Sequence, residues 1–265
     1  MLRQFNKQDR EIYLTYKDMR KKQNIKHYSK LVLNHCFNHD ESSKTNIWDA
    51  LEATNNFIDL SDPDMTLPNL YHMYQTAEGL RKDNAPDWMV LTGLIHDLGK
   101  ILYLWGCDED GTSLKKQWAL VGDTFILGCP IPDVCVYPEL NPKSNYDKPW
   151  GTYSPNCGLR NVYCSFGHDE YFYHILKNNK TKLPEEALYI IRYHSLYPWH
   201  THDAYEFLED SFDKKMKPMV QYFNKFDLYT KENIKTNIDK EYYNKLFEKY
   251  GLTEIVFEKQ IPEKN

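Results

Sequence analysis

One short stretch constrains this chain more than any other feature: LTGLIHDLGK, running from Leu91 to Lys100. Leu91, Leu94, Ile95, Leu98, Ile101 and Leu102 surround His96 and Asp97 at helical spacing, so both polar residues are expected inside a core. A buried carboxylate needs a cation or several hydrogen-bond donors. The fold must therefore bring partners to this pair from other elements. The His-Asp dipeptide also occurs at His39-Asp40, His168-Asp169 and His202-Asp203, so the apolar surroundings, not the dipeptide, set the constraint.

Composition narrows the partners. The chain has 265 residues and a formal net charge of −5, enough length for a substantial core and no general drive toward nucleic acid or an anionic membrane. No apolar run approaches the ~18 residues of a membrane span, and MLRQFNKQDREIY lacks the apolar stretch of a signal peptide. A cytoplasmic protein that binds neither nucleic acid nor membrane is expected. Six cysteines form no C-x-x-C pair, so they read as free thiols rather than zinc ligands.

Helical spacing predominates along the chain. Residues 8–28 and 29–40 predict one or two amphipathic helices. FIDLSDPDMTLPNLYH carries Asp59, Ser61, Asp62, Pro63, Asp64 and Pro68, turn chemistry that predicts a loop to about residue 69. Helices follow over 70–81 and 87–102, the second opening at Pro86-Asp87. Residues 104–160, rich in Gly, Pro, Asn, Asp and Tyr, predict a long, ordered, irregular excursion. Helical patterns return over 168–178, 184–195 and 203–227, and the tail from 240 to 265 predicts one more helix and a mobile end. Strand patterns are scarce and no linker divides the chain. The expected fold is all-α: a single-domain helical bundle over residues 1–265 with long irregular loops.

On the central helix, Thr92, Gly93, His96 and Lys100 share a face opposite the leucines, with Asp97 at its border. One His and one Asp cannot complete a transition-metal site, so His72, His168, His194 and Asp227 are the candidates to supply the rest. Taken singly, His194 reads as a core histidine, Asp227 as a helix-end carboxylate and Lys100 as a surface lysine. The aromatic residues of RYHSLYPWH read as core filling. Together, four histidines and two aspartates are too many for one closed site and suit two metals bridged by a carboxylate. Imidazole and oxygen ligands without thiolate favour iron or manganese.

Longer blocks carry a resemblance. SDPDMTLPNLYHMYQTAEGLRK, GLIHDLGKIL, WALVGDTFILGC, GLRNVYCSFGHDEYFY, LPEEALYIIRYHSLYPWH and FNKFDLYTK, in this order, resemble the myo-inositol oxygenase family, a branch of the HD-domain superfamily. The resemblance implies an HD-type helical fold and a mixed-valent Fe(II)/Fe(III) non-haem di-iron centre. His72, His96, Asp97 and Asp227 would hold one iron, His168 and His194 the other, and Asp97 would bridge. It implies a monomer acting on myo-inositol and O2, cleaving the C1–C6 bond to give D-glucuronate. Two inositol hydroxyls would meet the iron held by His72 and Asp227. Lys100 would be the catalytic cation that favours the substrate alkoxide, with Asp59, Gly122, Asp123, His194, Ser195 and, from the short block LRQF, Arg3 contacting substrate.

Two features depart from the family pattern: LWGCDEDGTSLKKQWAL is longer, and Phe166 stands where a tryptophan is usual. The HD motif alone would equally suit a metal-dependent phosphohydrolase, in which the metals generate a hydroxide nucleophile. That reaction wants a basic rim for phosphate, whereas Asp59 and Asp123 make the expected pocket acidic.

Overall fold

The computed structural model describes residues 9–37, 41–62, 68–229 and 237–261. They fold as a mostly helical body: α1 (Arg10–Lys22), α2 (Ile25–His35), α3 (Ile47–Ala53), α4 (Asn69–Lys82), α5 (Asp87–Ile95), α6 (His168–Asn178), α7 (Glu185–Tyr193), α8 (Tyr197–His200), α9 (Ser211–Tyr229) and α10 (Lys240–Tyr250). The all-α expectation is borne out. Among the described residues the only sheet is a small ribbon, β1 (Lys44–Asn46) antiparallel to β2 (Glu254–Val256), with Thr45 opposite Ile255. No helix among the described residues is long and apolar enough to cross a membrane. None of the six cysteines is in a disulfide.

Helix α5 is the centre. Every residue from Met89 to Ile95 is buried, with α4, α7, α9 and α10 packed around it. The expected two-faced helix is thus a helix buried all round, as its run of apolar and small residues permits. Gly93 sets how close α4 can come: a Cβ there would lie 2.8 Å from Leu80 Cδ1 and 3.1 Å from the Ala77 backbone. The small pair Ala77 and Gly93 lets the two helix axes approach, and that approach brings His72 of α4 beside His96.

The expected helix over 87–102 is not continuous. It ends at Ile95, turns through His96 and Asp97, and resumes as a 3₁₀ helix over Leu98–Leu104. The expected helix over 203–227 starts only at Ser211, because Asp203 and Tyr205 hold left-handed backbone (φ 55° and 65°) that a helix cannot contain. Asp210 then caps α9, its Oδ1 accepting from the N–H groups of Phe212 and Asp213. The helix expected in the tail is α10; past it the chain forms β2, and residues 262–265, the expected mobile end, lie outside the described residues. Helix α3 has no counterpart in the sequence reading.

The excursion over 104–160 is irregular, as expected, and ordered by side chains reaching backbone. Gln23, between α1 and α2, donates to the carbonyls of Trp118 and Phe166 and accepts from Phe166 N–H. Helices α6 and α7 are joined by a buried, forked ion pair, Arg192 Nε to Glu170 Oε2 at 2.7 Å and Nη2 to Oε1 at 3.0 Å.

Candidate metal centre

The break after Ile95 shapes the site. In a 3₁₀ helix residues i and i+3 eclipse, so Lys100 stands over Asp97, with Nζ 2.8 Å from Asp97 Oδ2. The expected alignment of Lys100 with His96 at i+4 gives way to this i+3 pairing. Gly99 is required by the next contact: a Cβ there would fall 2.0 Å from the His168 carbonyl oxygen. Because residue 99 has none, the 3₁₀ segment lies directly on the start of α6, and Asp97 Oδ1 comes within 3.0 Å of His168 Nε2.

Asp97 thereby faces two histidine pairs, one with each oxygen. Oδ1 is 3.0 Å from His168 Nε2 and 3.7 Å from His194 Nε2. Oδ2 is 3.7 Å from His96 Nε2 and 3.8 Å from His72 Nε2. Beside the second pair, Asp227 Oδ1 lies 2.8 Å from His72 Nε2 and 3.2 Å from His96 Nε2. All six sequence-expected ligands are buried and converge here.

The donor chemistry fits metal ions. Nδ1 of His96, His168 and His194 lies 2.9, 2.7 and 2.8 Å from the carbonyls of Gly93, Leu120 and Ile191. A carbonyl only accepts, so Nδ1 carries the proton in each ring and Nε2 presents a lone pair inward. His168 and His194 point these lone pairs at each other across 3.2 Å, repulsive unless a cation lies beside both. His96 Nε2, fully buried, has no hydrogen-bond partner. Ligands about 2.1 Å from one ion at right angles stand about 3.0 Å apart, and the near contacts within each group span 2.8–3.2 Å.

Charge points the same way. Burial would raise the carboxyls of Asp97 and Asp227, yet Lys100 and His96 beside the first, and His72 and His96 beside the second, hold both well below the usual carboxylate range. Burial lowers His72, whereas His96 is raised despite burial because Asp97 and Asp227 face it. Burial would also lower Lys100, but Asp97 and Asp59 outweigh it and keep the ammonium charged. The cluster holds anionic carboxylates and stabilises positive charge.

Above the ligands is a narrow polar cavity lined by Asp59, Ser61, Asp62, His72, Asp97, Lys100, Gly122, Asp123, His168, Ser195, Tyr197 and Asp227. The expected contact residues Asp59, Gly122, Asp123 and Ser195 are among them; His194 and His96 are outside this lining, and Arg3 lies outside the described residues. Lys100 uses all three of its protons, toward Asp97, Asp59 at 3.0 Å and Asn69 Oδ1 at 3.2 Å. Asp123 is held by Tyr16, whose hydroxyl donates to Oδ1 at 3.2 Å and accepts from the Asp123 N–H.

Two cavity residues, Tyr197 and Ser61, and one partner of Lys100, Asn69, are not among the residues the sequence singles out for the site. Tyr197, read as core filling, is half-buried and directs its hydroxyl at Asp227 Oδ2, 3.4 Å away. Ser61, read as a turn residue, donates N–H and O–H to Asp59 Oδ1 at 2.8 and 2.6 Å. Asn69 opens α4 and accepts from Lys100. The only signal for them was proximity in sequence to residues already singled out.

Comparison with known proteins agrees with this geometry. A family model described as myo-inositol oxygenase matches residues 9–257. Inositol oxygenase of Dictyostelium discoideum is 45% identical over 227 residues, covering 82% of this chain and 76% of that one. Inositol oxygenase of Mus musculus is 42% identical over 250 residues, 90% and 84% of the two chains. A probable inositol oxygenase of Oryza sativa subsp. japonica is 46% identical over 221 residues, 79% and 70%.

Proposed function

The chain belongs to the myo-inositol oxygenase family, and from that footing we propose that its metal centre is di-iron and cleaves the C1–C6 bond of myo-inositol with O2, giving D-glucuronate and water. Asp97 between two histidine pairs, each carboxylate oxygen facing one pair, is the observation that supports two ions rather than one. His72, His96 and Asp227 would hold the first, His168 and His194 the second, with Asp97 shared. Bound iron would supply the Lewis acidity and the redox site at which O2 is reduced by electrons from inositol.

The chain's own residues do the rest. Lys100, kept charged between Asp97 and Asp59, is a fixed cation beside the reacting hydroxyl: it favours the alkoxide and is unsuited to act as a base. A polyhydroxylated ring offers little apolar surface, so directional polar groups must bind it. Asp59, Asp123, Gly122 and Ser195 take this role, and substrate entry exchanges the Lys100–Asp59 contact for hydroxyl contacts. Beyond the ligands Asp97 and Asp227, the cavity is lined by Asp59, Asp62 and Asp123 with Lys100, a rim that favours a neutral polyol over a phosphate ester. The protein acts as a cytoplasmic monomer of one domain, consistent with six cysteines outside any disulfide.

Metal analysis after anaerobic loading tests the ligand assignment. Two irons per chain are expected, and Asp97→Ala should lose most of both because the shared carboxylate serves both groups. An Asp97→Ala protein that still holds two irons would overturn the bridging role.

A further inference from the structure

Resting on that reading of Asp59 as a substrate contact, we propose that Gln117 is a positioning residue for substrate, acting through the backbone on either side of Asp59. Gln117, in the stretch LWGCDEDGTSLKKQWAL, is only 2% exposed. Its carboxamide brackets residue 59: Oε1 accepts from Leu60 N–H at 3.0 Å and Nε2 donates to Ile58 C=O at 3.0 Å. One side chain thus replaces the neighbouring strand that residues 58–60 lack. The second Nε2 proton goes to Leu114 C=O at 2.9 Å, tying the bracket to its own loop.

The bracket joins two walls of the cavity. Gln117 C=O accepts from the N–H groups of Leu120 and Val121 at 2.8 and 3.0 Å, immediately before Gly122 and Asp123. Leu120 C=O in turn holds the backbone N–H and the ring Nδ1 of His168. The Asp59 wall and the Asp123 wall are therefore connected through residue 117. With the Asp59 main chain fixed, its carboxylate can release Lys100 and meet a substrate hydroxyl without the loop collapsing. Without the amide, the carbonyl of Ile58 and the N–H of Leu60 lose the side chain that holds them, and the loop is free to shift.

Steady-state kinetics of the iron-loaded full chain with myo-inositol tests this, using Gln117→Met, Asp59→Asn and the double variant. Gln117→Met should raise KM about tenfold with kcat within about twofold, iron content unchanged. Asp59→Asn should raise KM at least as far, and the double variant should be no worse than Asp59→Asn alone, since both changes act on one contact. Additive KM effects, or a normal KM in Gln117→Met while Asp59→Asn is impaired, would overturn the role of Gln117 and leave the substrate site standing. A normal KM in Asp59→Asn would overturn the substrate site itself. Gln117→Glu keeps the shape and the acceptor but lacks the donor when ionised; its KM, relative to wild type, should fall back as pH is lowered to about 5.5 and the carboxyl regains a proton. A pH-independent ratio would also count against the bracket.

Discussion

Gly99→Ala changes no ligand and should still empty half of the metal centre. The added Cβ would sit 2.0 Å from the His168 carbonyl oxygen, 2.8 Å from the His168 carbonyl carbon and 2.9 Å from Phe172 Cβ. Two of these neighbours are backbone of α6, which is anchored by the Glu170–Arg192 pair and cannot yield like a flexible side chain. Reaching an ordinary contact of about 3.4 Å requires the 3₁₀ segment and α6 to part by about 1.4 Å along the His168 carbonyl contact. Metal–ligand distances tolerate about 0.2 Å. Asp97, two residues from the strain, would therefore leave the reach of His168 and His194, while His72, His96 and Asp227 sit on elements that do not touch the new methyl. Overpacking of this kind costs about 1–3 kcal/mol, roughly 2–12 °C in Tm for a chain of this size, so the fold should survive. Metal analysis and circular dichroism on the same sample decide the matter: about one iron per chain, native helicity and activity down at least about a hundredfold. Two tightly held irons with wild-type turnover would refute the account of how Gly99 sets the site.

Three further outcomes are expected. Lys100→Ala should keep its iron yet lose about a hundredfold or more in turnover, and unchanged turnover would remove Lys100 from the chemistry. Glu170→Gln leaves Arg192 buried without its anion and should cost about 3 kcal/mol, read as a Tm drop of roughly 6–12 °C; a drop under about 2 °C would contradict the anchoring of α6 to α7. Burial would lower His35, but the carboxylates of Asp110 and Glu258 outweigh it and push it up to about 9. Since that is above the unfolded value of about 6.5, its stabilisation is complete below pH 6.5 and lost as pH rises through 9, up to about 2–3 kcal/mol. Denaturant midpoints measured across that window should fall in wild type and flatten in His35→Asn; parallel slopes would count against it.

Part of the candidate ligand set was legible where polarity contradicts its surroundings, as for His96 and Asp97 in an apolar run and His194 on an apolar face, whereas His72, His168 and Asp227 gain meaning only as members of the set. The six expected ligands meet within one cluster. What periodicity could not convey was the switch from α to 3₁₀ after Ile95, since Leu98, Ile101 and Leu102 continue an α pattern and are buried in either geometry. The switch is imposed from outside, by α6 packing on Gly99, and it changes the partner of Lys100 from His96 to Asp97.

The start of α9 was misread for a similar reason. Residues 203–210 are rich enough in apolar and acidic side chains to suggest helix, while the left-handed Asp203 and Tyr205 follow from tertiary fit, with Tyr205 fully inside the core. Gln117 and Tyr197 were invisible because their roles depend on which backbone or carboxylate lies opposite, information absent from local sequence.

If this centre uses O2 to open the inositol ring, oxygen and inositol are consumed together. Iron-loaded protein given myo-inositol in a sealed oxygen electrode, with D-glucuronate quantified in the same sample, tests it directly. The expected result is one glucuronate formed for each O2 consumed, with no uptake when inositol is omitted. No O2 uptake by protein that still holds two irons, or uptake without glucuronate, would contradict it.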